Sequence, residues 1–313
     1  MEPIIRKLIS SLITLLIVAA ISFTLFQWIP GTQVEIMLGM DADEAAIEEL
    51  SRQMALNQPV VARFFMWISG IARGDFGQSI IYRQNVLHLV ADSFPPTFSL
   101  TLVSSIMILI CSIPLGLIAS RFKNRWIDRI ITLTSQIGIV LPSFWLGILL
   151  LRFFSLQWDF FPASGYIPFH TNPSGWWNSV FLPSLALSLI GISVMLRILR
   201  GSILDIVHED YIRTARAKGL PEHKVAFRHI LKNALLPFIT QYGLQISSIM
   251  AGTILIENVF SIPGTGRLLW FAVQRRDLPL VQGCVIWIAF LTIIIHLVTD
   301  ILHTTIDPRI ERV

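Results

Sequence analysis

The chain has 313 residues, of which 54% are hydrophobic and only 14% are charged. In soluble domains about a quarter of the residues are charged, so this composition excludes a water-soluble monomer and indicates insertion into a membrane. The net charge of +4 is compatible with nucleic-acid binding, but the positions of the basic residues argue for a different cause, given below. Cys111 and Cys284 both lie in apolar runs, which favours two buried thiols over a disulfide framework.

Apolar runs of about 20 residues cross a bilayer, and on this basis we predict six transmembrane helices in an all-α integral membrane protein. They cover residues 8–29, 98–120, 127–155, 180–196, 235–259 and 280–302. A cleaved signal peptide is the alternative for the first run. Its apolar core is usually shorter and small residues follow it, whereas here Trp28 lies at the expected interface, so we predict a retained span.

Residues 30–95 are polar enough to lie outside the membrane. Acidic residues lead residues 41–56, where apolar residues recur at spacings of three and four, and this pattern predicts a helix. Residues 60–71 form a second amphipathic stretch, which we expect on the bilayer surface. Residues 74–79 contain two glycines, which permit tight backbone geometry, and they are predicted to form a turn.

The third apolar run contains Pro142 and Ser143. Proline is tolerated in membrane helices and kinks them. Two interpretations stay open at this point: the kink is a gate element of a transport pathway, or it serves only the packing of the helices.

Residues 208–237 are a long polar segment between two apolar runs. Glu209 and Asp210 stand near its start and basic residues follow, which matches the dipole of a short helix of about three turns. Gly219 is a helix stop and Pro221 permits a new start, so a second helix is predicted to enter the membrane from Val225. An ordinary connecting loop is the alternative.

Two further groups of polar residues lie near the last spans. Glu257 and Asn258 end the fifth span; an acid at such a position is a functional candidate, which either lines a pathway or pairs with Arg267 or Arg275.

His296, Asp300 and His303 lie on one face of the sixth span. They are weak candidates for a transition-metal site, with packing or an interfacial position as the alternative, and the sequence predicts no metal site elsewhere.

The distribution of basic residues tests the topology. Most of the 24 lysines and arginines fall at the N-terminus, in the loops after the second and fourth spans, and in the tail. Because positive residues are retained on the cytoplasmic side, the predicted orientation is N-in and C-in. The excess of basic residues therefore follows from the membrane topology, and no nucleic-acid partner is predicted.

Ala215, Gly219 and Leu236-Pro237 resemble the EAA loop of ABC-transporter permease subunits. The sequence DYIRTARAKGL, followed by HILKNALLP, is similar to that of the dipeptide, oligopeptide and nickel branch of that family. Arg213 and Thr214 stand where the general pattern has Glu and Ala, and the spacing to the proline is longer, as is typical of this branch. These departures leave Glu209 or Asp210 for the acidic role.

The external segment QPVVARFFMWISGIARGDFGQS, the stretch PASG at residues 162–165 and the tail DPRI also resemble this family, so the resemblance covers nearly the whole chain. It implies a type I ABC importer permease fold. Residues 1–93 would be the first transmembrane helix and an extracytoplasmic helical segment, 94–303 the permease core with a coupling helix near 208–220, and 304–313 a cytoplasmic tail.

In this family the coupling helix docks into a groove on a separate ATPase subunit. The resemblance assigns that role to Glu209, Asp210, Tyr211, Arg213, Thr214, Ala215, Ala217, Lys218 and Gly219. The sequence contains no Gly-x-x-x-x-Gly-Lys-Ser/Thr motif, so the chain is predicted to be no enzyme and to hold no cofactor, with ATP and Mg used by the partner subunits.

The partners implied are a second homologous permease in a heterodimer, two ATPase subunits and an extracytoplasmic solute-binding protein, in the bacterial cytoplasmic (inner) membrane. The chain would form half of the pathway for a small peptide or a chelate of nickel or another metal. The alternatives are a secondary transporter, which would show an inverted repeat with buried ionisable pairs, a channel, or a membrane-embedded enzyme with catalytic groups in mid-span. A requirement for ATP hydrolysis separates the importer from all three.

Overall fold

The computed structural model describes residues 2–27, 48, 52 and 57–306. Most of these residues are helical, and the described part of the chain contains no strand beyond an isolated bridge between Gln78 and Asn85. The helices are α1 Glu2–Gln27, α2 Val60–Ala72, α3 Val86–Arg121, α4 Trp126–Val140, α5 Ser143–Gln157, α6 Pro173–Ile206, α7 Asp210–Ala217, α8 Glu222–Val259, α9 Thr265–Gln274 and α10 Leu278–Ile306. The predicted all-α fold is confirmed, while most of the helix predicted over residues 41–56 and the tail beyond residue 306 lie outside the described residues.

Four helices of the described chain are long and apolar enough to cross a membrane, namely α3, α6, α8 and α10, and α4 with α5 makes a fifth if the bent pair is one span. Helix α1 begins before the first predicted span and covers residues 8–27 of it, but its apolar stretch Ile9–Leu25 is shorter than the other candidates. Most large apolar side chains of α1 are exposed, as lipid contact requires. The count of six spans and their orientation remain predictions.

Helix α3 begins at Val86, well before the predicted start of the second span at residue 98. The side chain of Asn85 accepts a hydrogen bond from the Leu87 amide over 2.8 Å, which is the bond of a helix N-cap. Residues 86–95 are therefore helical and continuous with the second predicted span, and their position outside the membrane stays a prediction. Hydropathy alone missed this start because the first turns of α3 contain charged and polar residues.

The third predicted span is broken in two. Helix α4 ends at Val140, α5 begins at Ser143, and the two axes differ by 102°. The residue before a proline is held in an extended conformation, and Leu141 has φ −79° and ψ 126°. The kink predicted at Pro142 is therefore confirmed, and it is a full break between two helices.

The chain divides into two compact units, one made of Met1–Pro95 and Pro263–Ile293 and the other of Pro96–Ile262 and Ile294–Val313. The core of the second unit lies where α3, α6 and α8 pack together. Its largest fully buried side chains include Phe238, Phe260 and Met195. Small residues bring these helices close together, as is usual between membrane helices.

The first unit is organised around Asp277, which is fully buried. Its carboxylate accepts hydrogen bonds from the Ser79 hydroxyl and from the amides of Ile80, Ile81 and Leu280. One side chain thus caps the start of α10 and holds the loop before α3. The glycines predicted to make this loop a turn have φ of +83° (Gly74) and +81° (Gly77), values that glycine adopts without strain.

Helix α9 was not predicted from the sequence. It follows Gly264, ends at Gln274 and buries Thr265, Gly266 and Ala272. Its ten residues are too few to cross a bilayer, so a search for long apolar runs passes over it.

A close helix contact of the second unit yields a stability prediction. A Cβ atom at Gly191 of α6 would collide with the Ile108 side chain and lie 3.2 Å from Cγ of Gln245. Overpacking of this kind costs about 1–3 kcal/mol, so we expect Gly191→Ala to lower the thermal unfolding temperature of the protein in detergent.

Gly201 on the same helix is the matched control, because a Cβ atom there meets nothing within 4 Å. Gly201→Ala is expected to leave the unfolding temperature unchanged or to raise it slightly, since alanine favours the helix. Equal unfolding temperatures for the two variants would contradict the packing of α6 described above.

Candidate functional site

The polar segment after α6 forms helix α7, Asp210–Ala217, of eight residues. The amides of Ile212 and Arg213 both donate to the Glu209 carbonyl oxygen, over 3.0 and 3.3 Å. Asp210 lies in the first turn and Arg216 in the last, an arrangement that complements the helix dipole. The predicted short helix is confirmed, although it has about two turns instead of three.

The end of α7 is a Schellman motif. Gly219 has φ +75°, its amide donates to Arg216 over 2.9 Å, and the Leu220 amide donates to Ala215 over 3.4 Å. These two bonds satisfy carbonyl groups that a helix end leaves open. The predicted end of the helix at Gly219 is therefore confirmed, and the Schellman motif is what ends it.

A second helix follows directly. Pro221 precedes α8, which begins at Glu222 and not at the predicted Val225. Its early turns, Val225–Leu231, are wider than α-helical turns. This π-helical stretch marks the place where the polar segment becomes the fifth predicted span.

The two faces of α7 differ sharply in burial. Ile212 and Ala215 are buried, at 0% and 6% exposure, in the same cluster as Ile203, Val225 and Ile230. The remaining residues predicted to couple are exposed: Glu209, Asp210, Tyr211, Arg213, Thr214, Ala217, Lys218 and Gly219. Ala215 thus packs α7 onto its own chain, and the other predicted residues present a solvent-accessible surface.

Polar contacts hold α7 to the start of α8. Arg216 binds the Glu222 carboxylate through two nitrogens, at 2.7 and 3.2 Å, and this hydrogen bonding raises the pKa of the Arg216 guanidinium. Asn233 donates to the Tyr211 hydroxyl oxygen over 3.0 Å. Both pairs are exposed, so they orient the segment and add little stability.

Of the pathway candidates, Pro142 and Ser143 lie at the break between α4 and α5. Glu257 is fully buried, and the Thr97 hydroxyl donates to its Oε1 atom over 2.6 Å. Asn258 donates to the Ile254 carbonyl oxygen over 2.7 Å, a bond within its own helix. The structure thus places Glu257 inside the chain, and a role for any of these residues in transport stays a prediction.

Among the described residues, no group of three His, Cys, Asp or Glu side chains has metal-binding geometry. His296 lies 3.4 Å from the Ser247 hydroxyl. The side chain of His303 lies outside the described part of the chain.

An ion pair that the sequence does not predict joins two of the helices. The guanidinium of Arg200 on α6 binds the carboxylate of Asp128 on α4 through two nitrogens, at 2.6 and 2.7 Å. Arg200 was counted only as a topological charge, and nothing in its local sequence names a partner far away in the chain. The one available signal was an acid at the start of an apolar run, where a carboxylate needs a partner.

Comparison with known proteins gives a consistent result. Residues 112–312 match the model of the family described as "Binding-protein-dependent transport system inner membrane component", and residues 1–101 match the N-terminal model of the same type of component. A protein of Brucella abortus strain 2308, named as a peptide transport system permease protein, is 35% identical over 308 residues, which is 98% of each chain. The glutathione transport system permease protein GsiC of Escherichia coli K12 is 37% identical over 308 residues, again 98% of each chain.

A solved structure supports the fold. The MetNI methionine ABC transporter, in an inward-facing conformation, contains a chain that aligns with 70% of this chain and 97% of its own length. The TM-score is 0.55 at 14% sequence identity, so this likeness concerns the fold alone.

The Schellman motif makes Gly219 a sensitive position. A residue with a Cβ atom pays about 1–2 kcal/mol in the left-handed region, and a β-branched residue is the least suited to it. We expect Gly219→Val to speed hydrogen exchange of the amides at the end of α7, measured by mass spectrometry on peptides covering residues 210–222.

Asparagine visits the left-handed region readily, so Gly219→Asn is the matched control and should keep most of the protection. The space around Gly219 is open, which means that steric collision does not distinguish the two variants. Identical exchange in both would show that the motif does not hold the end of α7.

Proposed function

This chain belongs to the family of binding-protein-dependent transport system inner membrane components, and we propose that the exposed face of α7 is the surface on which its ATPase subunit docks. Members of the family are permease subunits of ATP-driven ABC importers in the inner membrane. Their ATPase subunits and solute-binding proteins are separate chains, so this chain is a transport subunit and not an enzyme. Function as a channel or secondary transporter is accordingly set aside.

The observation that carries the docking proposal is that one face of α7 is buried and the other is exposed. A helix of eight residues gains little stability alone, yet α7 is fixed by Ile212 and Ala215 on one side. Its other side presents Tyr211, Thr214 and Lys218 to solvent. A rigid, short, mixed-polarity surface of this kind suits a groove on a partner that is bound and released.

The larger assembly is also part of the proposal. A second, homologous permease would complete the pathway as a heterodimer, and two ATPase subunits would bind, one on each permease. ATP and Mg would be used by those subunits alone. The distribution of basic residues supports an N-in, C-in orientation, which places α7 on the cytoplasmic side where ATP is available.

For the transported solute we propose a small peptide. The relatives named above are a peptide transport permease and a glutathione transport permease, each matching nearly the full length of this chain. A nickel or other metal chelate is the alternative carried by the same branch of the family. The described residues bring no metal-ligand cluster together, which gives the chelate no separate support in this chain.

The docking proposal is tested by a bulky substitution on the exposed face of α7. Ala217 is exposed, so Ala217→Trp leaves the packing of Ile212 and Ala215 intact and obstructs only a partner. We expect the tagged permease to lose its co-purifying ATPase subunit in mild detergent, and proteoliposomes containing the binding protein to lose ATP-dependent peptide uptake.

Ser174→Trp is the matched control. Ser174 is also exposed, but it lies at the opposite end of α6, a helix of 34 residues and hence about 50 Å long. This variant is expected to keep both the ATPase subunit and uptake. Retention of the ATPase subunit by Ala217→Trp would refute docking at α7.

A further inference from the structure

The ion pair between Asp128 and Arg200 is less exposed and better oriented than a typical surface ion pair. The exposed fractions of the side chains are 5% for Asp128 and 24% for Arg200. Two parallel N–H···O bonds join them, the bidentate geometry that fixes both distance and orientation. Because removal of one partner leaves a nearly buried charge alone, breaking such a pair is strongly unfavourable.

Asp128 has additional partners that fix the start of α4. Its carboxylate accepts a bond from the Asn124 amide over 2.9 Å and lies 3.4 Å from the Thr132 hydroxyl. Asn124 has φ +64°, so this carboxylate stabilises a turn that most residues avoid. Arg200 is therefore joined, through one carboxylate, to α4 and to the turn between α3 and α4.

The position of Arg200 gives the pair its functional meaning. Arg200 lies about two turns before the end of α6, and α7 follows at Asp210. Further along α4, the backbone at Gly138 lies directly against the Ser193 side chain of α6. Helix α4 is thus fastened to α6 at two levels, and the break at Pro142 comes immediately after the second.

We propose that the Asp128–Arg200 pair is the positioning contact through which α4 follows α6 when an ATPase subunit moves α7. This inference rests on the proposed docking function of α7. Displacement of α7 pulls on the end of α6, the ion pair carries that displacement to α4, and the break between α4 and α5 absorbs the change in direction. The ion pair holds α4 in register with α6 during this motion, a task for which non-directional apolar contacts are less suited.

The experiment uses the complete complex, with ATPase subunits and binding protein, in proteoliposomes, and measures peptide uptake per ATP hydrolysed. Arg200→Gln removes the charge of the pair, and Arg197→Gln removes an exposed charge from the same helix as the control. Coupling between sites corresponds to about 5–150-fold, and we expect uptake per ATP to fall about tenfold for Arg200→Gln and to stay unchanged for Arg197→Gln.

The ratio of uptake to hydrolysis, measured on complexes that retain their ATPase subunit, separates coupling from folding. If Arg200→Gln does not assemble, Arg200→Lys decides, since it keeps the charge but loses the bidentate geometry. A lowered ratio in the assembled variant supports the proposal, and a wild-type ratio overturns it.

A double variant, Asp128→Arg with Arg200→Asp, provides the rescue test. Recovery of part of the ratio is expected if the pair itself transmits the motion, whereas a double variant that assembles and stays as uncoupled as Arg200→Gln would overturn that role. Absence of ATPase subunits from the wild-type preparation would instead refute the proposed function, so the two failures are distinguishable.

Discussion

A backbone that crosses hydrocarbon must satisfy its own hydrogen bonds, and this constraint determines where the chain is allowed to change direction. Helices α6 and α8 run without interruption, even through Pro183 and Pro237. Other helices end where local hydrogen bonds replace the missing helical ones or where a proline prevents the next turn. The Schellman motif at Gly219 is an example of the first, and the extended residue before Pro142 is an example of the second.

The same constraint explains how so many hydroxyl groups are buried between helices. Thr101 donates to the Thr97 carbonyl oxygen over 2.9 Å, and Ser193 donates to Leu189 over 2.9 Å. Each of these two hydroxyls is satisfied by its own helix, so a neighbouring helix can approach without leaving that group unpaired. Burial of a hydroxyl is therefore by itself no evidence for a polar pathway.

Sequence patterns predicted what depends on neighbours along the chain. The apolar runs, the helix before Gly219 and the turn at Gly74 and Gly77 all follow from local composition or backbone preference. The patterns failed where a distant residue decides: α3 starts early because Asn85 caps it, and Asp277 binds a loop almost two hundred positions away in the chain. The partnership of Asp128 and Arg200 is of the same kind, since neither residue's local sequence specifies the other.

Helix α7 lies between two long helices, α6 and α8, and is connected closely to both. It follows α6 after a short turn, and Gly219 and Pro221 lead directly into α8. Arg216 with Glu222, and Tyr211 with Asn233, fasten it to the early turns of α8. If an ATPase subunit docks on the exposed face as proposed, its force is shared between α6 and α8, and the proposed role of Arg200 extends it to α4. Since sharp changes of helix direction occur at defined breaks, the proposed mechanism has a small displacement at one short helix become a concerted movement of three long ones.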